Sequence, residues 1–77
     1  MHNQIPKIIS AFPKENFQLG IVFNDGKSKT VDINPFIKNG VSAALRDPQY
    51  FKKVIVENGY ITWENGFDFC PEFLYNL

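Results

Sequence analysis

Hydrophobic and polar residues alternate along two stretches of the first half of the chain, which predicts two neighbouring β-strands. The clearer stretch is residues 17–23, where every second residue is apolar, as expected for a strand with one face in a core. The other stretch, residues 7–12, lies between Pro6 and Pro13 and is typical of a shorter strand. Residues 13–16 between them predict a tight turn with type I geometry, since proline favours that geometry near the start of a turn.

A third strand is predicted over residues 27–33, after the turn sequence Asn-Asp-Gly. Two registers are open for this hairpin. A two-residue loop would place Leu19 opposite Asp32, whereas a three-residue loop with Gly26 in the left-handed conformation places Leu19 opposite Val31. We prefer the second register, because a slip of one residue would turn the apolar residues of the third strand away from the core.

Between residues 34 and 52 the alternation gives way to short helical signals. Asn34-Pro35 favours the start of one turn, Gly40 is predicted to end it, and Ser42 is predicted to cap the next turn. Asp47-Pro48 predicts that a helix restarts and continues to residue 52. The segment is therefore interpreted as a broken helical connector. Three apolar residues of this connector are predicted to cover the sheet: Val41, Leu45 and Phe51.

Residues 54–63 predict a second hairpin, because Asn-Gly between two alternating apolar stretches is the strongest short hairpin signal. A two-residue loop pairs Val56 with Ile61 and places Val54 opposite Trp63 on the same face. Trp63 is therefore predicted to point into the core.

Together these elements predict a single α+β domain over residues 1–77, made of a three-stranded antiparallel meander, a broken helical connector and a second β-hairpin. A chain of 77 residues is close to the lower size at which one core supports itself. Its eight Phe, three Tyr and one Trp partly offset the short length, and a homodimer would bury further surface. No apolar run approaches the roughly 20 residues of a membrane span, and no signal-peptide pattern opens the chain, so a cytoplasmic location is predicted.

The C-terminal residues 63–75 combine aromatic, acidic and turn-forming side chains. They predict the end of a strand, a tight turn at Asn65-Gly66 and a helical turn that begins at Pro71. Two interpretations of this block stay open: it is a lid over the core, or it is a surface that recognises a partner. The second interpretation gives five candidate partner-binding residues: Trp63, Asn65, Asp68, Glu72 and Tyr75.

Charge is distributed unevenly along a chain whose formal net charge is zero. Residues 1–53 hold all eight basic and four acidic residues, a formal charge of +4, and residues 54–77 hold the other four acidic residues, a charge of −4. This asymmetry favours a basic partner for the C-terminal part or head-to-tail contacts between copies, unless folding brings the two parts together. The neutral total and the absence of a Lys/Arg cluster argue against binding of a phosphate backbone.

The residues that carry chemistry are too few for a catalytic or metal centre. His2 and Cys70 are the only residues of their types, whereas a metal site needs several converging ligands and a nucleophile needs a base within reach. We interpret Cys70 as a small buried residue. Glu64 and Asp68, four positions apart, are the basis of the enzyme alternative, because paired carboxylates can act as acid and base. We expect no metal, no cofactor and no catalytic residue.

The order of several short motifs resembles the bacterial domain-of-unknown-function family 2442. The resemblance covers nearly the whole chain and is carried by six segments: Phe23-Asn24-Asp25-Gly26, Val31-Asp32-Ile33, Leu45-Arg46-Asp47, Phe51-Lys52-Lys53-Val54, Trp63-Glu64-Asn65-Gly66-Phe67-Asp68 and Pro71-Glu72-Phe73-Leu74-Tyr75. It implies a small α+β fold without established enzymatic activity. Some relatives resemble one half of a two-gene cassette of toxin–antitoxin type. Others add a C-terminal helix-turn-helix, which residues 1–77 do not include, so direct DNA binding is not expected.

Three classes of function follow. The first is a non-enzymatic protein-interaction module, as the companion or antitoxin-like half of such a cassette. The second is a component of a nucleic-acid-associated transcriptional regulator, and a small enzyme is the third. The partner that we expect is another small protein of basic charge, and neither a membrane nor a nucleic acid.

Overall fold

Two three-stranded antiparallel sheets and a few short helices make up the protein in the computed structural model, which describes residues 6–77. The strands and α-helices, in chain order, are β1 (Ile8–Pro13), β2 (Gln18–Phe23), β3 (Ser28–Asp32), α1 (Pro48–Phe51), β4 (Ile55–Glu57), β5 (Tyr60–Thr62), β6 (Asp68–Phe69) and α2 (Pro71–Tyr75). Short 3-10 segments lie at Glu15–Phe17, Asn34–Phe36 and Gly40–Arg46. The strand orders are β1-β2-β3 and β4-β5-β6, which confirms the predicted α+β class.

The first sheet is the predicted meander, and its second hairpin has the preferred register. Leu19 lies opposite Val31. The Ile33 N–H donates to the Phe17 carbonyl at 2.9 Å, so the pairing extends one residue beyond the strands. Gly26 has a φ of 92°, the left-handed conformation that the three-residue loop requires.

The turn between β1 and β2 differs from the predicted type I turn. Pro13 ends β1, and the chain reverses through Glu15–Phe17, where Asn16 and Phe17 both have a φ of 59°. The predicted geometry is wrong at Lys14, a central residue of the predicted turn, because its ψ of −179° is far from the roughly −30° of a type I turn. Phe17, just after the predicted turn, lies in the left-handed region. A bulky residue rarely adopts this conformation. Here the Phe17 ring packs edge-on against Phe51, with 5.4 Å between the ring centroids.

The helical connector is broken, as predicted, but one of its three apolar residues faces outward. Side chains three positions apart lie on the same side of a 3-10 helix. In Gly40–Arg46 this spacing buries Ser42 and Leu45 and leaves Val41 56% exposed. The prediction that Val41 covers the sheet is therefore wrong, whereas Leu45 and Phe51 are buried as predicted.

The caps within the connector are also only partly as predicted. Gly40 begins the second 3-10 segment instead of ending the turn before it. The Ser42 hydroxyl does not cap a helix; it accepts a hydrogen bond from the Lys38 N–H at 2.8 Å and donates to the Lys38 carbonyl at 3.2 Å. The restart of the helix is confirmed, because the Asp47 carboxylate accepts the Gln49 N–H at 3.0 Å at the start of α1.

The hairpin of β4 and β5 confirms the predicted turn and register. Asn58 and Gly59 have φ values of 52° and 83°, and positive φ at both positions is the mark of a type I′ turn. Val56 pairs with Ile61. Trp63, which follows β5, is 1% exposed, so its predicted core-facing orientation is confirmed.

The second sheet has a third strand that the sequence pattern did not predict. Gly66, with a φ of 92°, lies in a turn that reverses the chain after β5. As a result Phe69 of β6 lies opposite Ile61, and Asp68 lies opposite Thr62. Phe69 is buried by this pairing.

Lys29 and Leu74 are two of the residues that hold helix α2 in place. Lys29 donates its ammonium protons to the carbonyl oxygens of Leu74, Tyr75 and Leu77 at 3.0, 3.0 and 2.7 Å. A cation beside the carbonyl groups at the C-terminal end of a helix is stabilising. Leu74 is fully buried. Cys70, just before the helix, is exposed, so its interpretation as a buried residue is wrong.

One hydrophobic core receives residues from both sheets, the connector and α2. Its buried apolar residues are Ile8, Leu19, Ile21, Phe23, Val31, Ile33, Ile37, Leu45, Phe51, Ile61, Trp63, Phe69 and Leu74. Because the second sheet is small, its contribution depends on the large rings of Trp63 and Phe69, whose centroids are 6.2 Å apart.

Candidate functional site

Trp63, the first of the five candidate residues, is part of the core. Its indole Nε1–H donates to the Phe51 carbonyl at 3.0 Å. The ring centroids of Phe51 and Phe67 lie 5.9 and 6.0 Å from that of Trp63. With almost no exposed area, Trp63 holds the second sheet against the connector.

Asn65 joins the turn after β5 to the connector. Its side-chain Nδ2–H donates to the Val41 carbonyl at 2.9 Å, and its backbone N–H donates to the Tyr50 hydroxyl at 2.9 Å. Its Oδ1 accepts the Phe67 N–H at 3.1 Å within the same turn. These three hydrogen bonds fix the turn after β5 against the connector.

Tyr75 packs against the turn between β2 and β3. Its hydroxyl donates to Asp25 Oδ2 at 2.6 Å, and its ring meets the Phe23 ring edge-on at 4.9 Å. The Lys27 ammonium lies 4.4 Å from the centroid of the Tyr75 ring, within the range of a cation–π contact. Tyr75 therefore connects α2 to the first sheet across 50 residues of sequence.

The hydrogen bond between Tyr75 and Asp25 changes the pKa of both groups. The bond from the Tyr75 hydroxyl lowers the pKa of Asp25 below its usual 3.8, and the Lys27 N–H at 2.9 Å lowers it further. The same bond raises the pKa of Tyr75 above its usual 10.0. The Asp25 contribution to stability is present above the unfolded pKa and is lost as pH falls through the folded one. The Tyr75 contribution is present below pH 10 and is lost as pH rises through the folded pKa.

Replacement of Tyr75 by Phe is expected to raise the pKa of Asp25 toward 3.8, because the variant lacks the hydroxyl that stabilises the carboxylate. NMR titration of the side-chain carboxyl groups measures this directly. Tyr60→Phe is the matched control and should leave the pKa of Asp25 unchanged. An unchanged Asp25 pKa in the Tyr75→Phe variant would show that the bond does not form in solution.

Asp68 lies on the outer side of the second sheet beside residues that the candidate set does not contain. Ile55, Thr62 and Asp68 are opposite one another across β4, β5 and β6, and Glu57 is opposite Tyr60 in the next row. A shallow depression of about 280 Å³ is lined by Glu57, Asn58, Tyr60, Thr62 and Asp68. We call Ile55, Glu57, Tyr60, Thr62 and Asp68 the acidic sheet face.

The five candidates thus have different surroundings. Glu72 is exposed in the first turn of α2 and does not line the depression beside Asp68. Glu64 lies in the turn before β6, so it does not share a strand face with Asp68. The pairing of Glu57 with Tyr60 follows from the predicted hairpin, but their proximity to Asp68 depends on β6. The candidate set itself stays a prediction.

Within residues 6–77, no three His, Cys, Asp or Glu side chains form a group that could hold a metal ion. His2 lies outside the described residues. Among the described residues, no helix has both the length and the apolar character that a membrane crossing requires.

The fold and the surface define a small α+β domain with an acidic face on its second sheet. Residues 8–77 match the family described as "Protein of unknown function (DUF2442)", and the chain belongs to this family. Comparisons with curated proteins and with solved structures gave no match.

Proposed function

We propose that this protein is a non-enzymatic interaction module that binds a basic protein partner through the acidic sheet face. The observation that supports this best is the combination of two carboxylates, Glu57 and Asp68, with the partly exposed apolar side chains of Tyr60 and Ile55. Tyr60 is 43% exposed. Aromatic residues beside a few fixed polar groups are typical of protein interfaces.

The roles of the acidic residues support the same conclusion. The side-chain hydrogen bonds among residues 6–77 use the carboxylates of Asp25, Asp32 and Asp47 in turns and caps. None of those bonds uses the carboxylates of the four acids after residue 53, which are exposed: Glu57, Glu64, Asp68 and Glu72. Exposed carboxylates outside these hydrogen bonds can attract a positively charged partner.

A companion or antitoxin-like role in a two-gene cassette is the specific form of this proposal. It is supported by the sequence resemblance, which implies that some relatives in the family of unknown function to which the chain belongs are one half of such a cassette. The protein encoded by the neighbouring gene is therefore the first partner to test. Binding of nucleic acid in place of protein would support the regulator hypothesis instead.

The double variant Glu57→Lys, Asp68→Lys is expected to associate more slowly with the co-expressed neighbouring gene product, by at least about tenfold at low salt. The reason is that the two substitutions reverse the charge that steers a basic partner toward the acidic sheet face. The difference from the parent should become smaller at high salt, since screening shortens to about 8 Å at physiological ionic strength. Association and dissociation rates at several salt concentrations, measured by surface plasmon resonance, check this.

The matched control is the double variant Glu64→Lys, Glu72→Lys, which makes the same change in net charge away from the acidic sheet face. It should slow association less than the Glu57→Lys, Asp68→Lys variant does, and it should retain the dissociation rate of the parent. Equal binding by the parent and both variants at every salt concentration would place the interface elsewhere. If no partner co-purifies with the parent, the interaction hypothesis loses its main support.

A further inference from the structure

The outer strands of the two sheets differ in how open they are to pairing with another strand. β1 contains Pro13 and a shift of register between Ile8 and Ser10, and its Ile8 N–H already donates to the Gly59 carbonyl at 3.0 Å. β4 and β6 have only three and two residues. Proline, bulges and short length are the usual features that protect an edge strand. β3 has no proline and no bulge, and its five residues pair with β2 in unbroken register. The ammonium of its one lysine, Lys29, is bonded to carbonyl groups near α2.

The hydrogen bonds of β2 and β3 show which backbone groups of β3 point outward. The Phe23 N–H donates to the Lys27 carbonyl at 2.8 Å, and the Ile33 N–H to the Phe17 carbonyl at 2.9 Å. Pairs that exchange hydrogen bonds alternate with pairs that do not along an antiparallel ladder. The odd-numbered residues of β3 therefore bond to β2. The backbone N–H and C=O groups of three exposed residues point away from the sheet: Ser28, Thr30 and Asp32.

We propose that two copies of this chain associate by antiparallel pairing of β3 with β3, about a twofold axis at Thr30. The two first sheets then form one continuous sheet of six strands. Thr30 of one protomer lies opposite Thr30 of the partner subunit, and Ser28 lies opposite Asp32 of the partner subunit. A small domain with a limited core gains buried surface in this way.

The side chains of β3 are complementary in this register. Cross-strand Thr–Thr pairs are favourable, and Ser28 supplies a hydroxyl donor for a carboxylate. Asp32 already accepts two hydrogen bonds from Asn34 at Oδ1, both at 3.1 Å, which leaves Oδ2 as the acceptor. Lys29 lies opposite Val31 of the partner subunit, and its ammonium is held by the carbonyl groups near α2. The Lys14 ammonium donates to the Thr30 hydroxyl at 3.3 Å, so the two Lys14 side chains are the like charges nearest the axis.

Other registers are less favourable. An axis at Asp32 would place two carboxylates opposite each other, which destabilises a strand pair. An axis at Ser28 would pair Thr30 with Gly26, which lies in the turn, and would leave Asp32 without a partner residue in β3. The axis at Thr30 is the one that pairs all five residues of the strand.

Disulfide cross-linking tests this register directly. In a Cys70→Ser background, which removes the exposed thiol, the Thr30→Cys variant is expected to form an intermolecular disulfide under mild oxidation. The two Cα atoms of a hydrogen-bonded antiparallel pair are about 5.5 Å apart, within the range that a disulfide spans. The Ser28→Cys variant is the matched control. Its two copies would lie four residues apart along the strands, about 14 Å, and should not cross-link.

The mass in solution gives a second, independent readout. Light scattering of the parent is expected to show twice the chain mass of 8.9 kDa at high concentration. Thr30→Pro removes an outward N–H without removing a bond to β2 and should give a monomer, whereas Thr30→Val keeps the N–H and should stay dimeric. A parent that is monomeric at every concentration, or equal cross-linking at positions 28 and 30, would overturn the proposal. If Thr30→Pro does not fold, the comparison of cross-linking in the Thr30→Cys and Ser28→Cys variants still tests the proposed register.

This dimer does not depend on the acidic sheet face, which belongs to the other sheet. Loss of partner binding in the Glu57→Lys, Asp68→Lys variant with an unchanged dimer, or loss of the dimer with unchanged partner binding, would separate the two proposals.

Discussion

Replacement of Trp63 by Ala is expected to lower the free energy of unfolding by about 3–5 kcal/mol, the usual cost of truncating a large buried aromatic side chain. Trp63 is buried among the rings of Phe51, Phe67 and Phe69. Its removal would leave a cavity at the point where the second sheet meets the connector. The indole N–H would also be lost as a donor to the Phe51 carbonyl.

The expected loss is a large part of the total stability, since a domain of this size has roughly 4–12 kcal/mol in all. Urea denaturation at low temperature is therefore the suitable measurement. Trp63→Phe keeps most of the ring packing and should cost less, and Tyr60→Ala, on the exposed side of β5, should cost less than about 1 kcal/mol. A Trp63→Ala variant within about 1 kcal/mol of the parent would contradict the assigned core position.

Replacement of Leu74 by Ala is expected to lower the free energy of unfolding by about 2–5 kcal/mol and to release α2 from the first sheet. A helix of five residues is too short to be stable in isolation. Its position therefore depends on the buried Leu74 side chain together with the carbonyl contacts of Lys29. Denaturant unfolding, combined with hydrogen exchange of the α2 amides, measures both effects.

The neighbouring residue Phe73 provides the control for that prediction. It is 45% exposed, although its ring packs edge-on against Phe36 with 5.4 Å between centroids. Phe73→Ala should therefore destabilise the protein by about 1 kcal/mol and leave exchange within α2 close to that of the parent. If the two alanine variants were equally destabilised, the burial of Leu74 would not be what holds the helix.

The two hairpins could be predicted with their registers because the information is local. In the first sheet, Gly26 and the alternation around Leu19 and Val31 exclude a slip of one residue. In the second, Asn58-Gly59 sets a type I′ turn, and the turn sets the pairing on both sides. The core orientation of Trp63 follows from the same pairing.

The connector could be predicted as broken but not in detail. The segment Gly40–Arg46 is a 3-10 helix with three residues per turn. In an α-helix, with 3.6 residues per turn, Val41 would face a different side. That choice depends on contacts made by the folded protein. Asn65, 24 residues away, donates to the Val41 carbonyl, and no local pattern indicates this contact.

Turn chemistry and alternation act over a few residues, and within that range they determine the strands, the hairpin registers and the inward direction of Trp63. Contacts between segments that are distant in sequence depend on the tertiary structure and could not be predicted from local patterns. β6 forms because the chain returns to β5, and this return places Asp68 beside Glu57 and Tyr60 on one face. Tyr75 reaches Asp25 across 50 residues, and that contact depends on where α2 docks. The sequence could thus name acidic and aromatic candidates, but packing of the two sheets and α2 decided which of them share a surface.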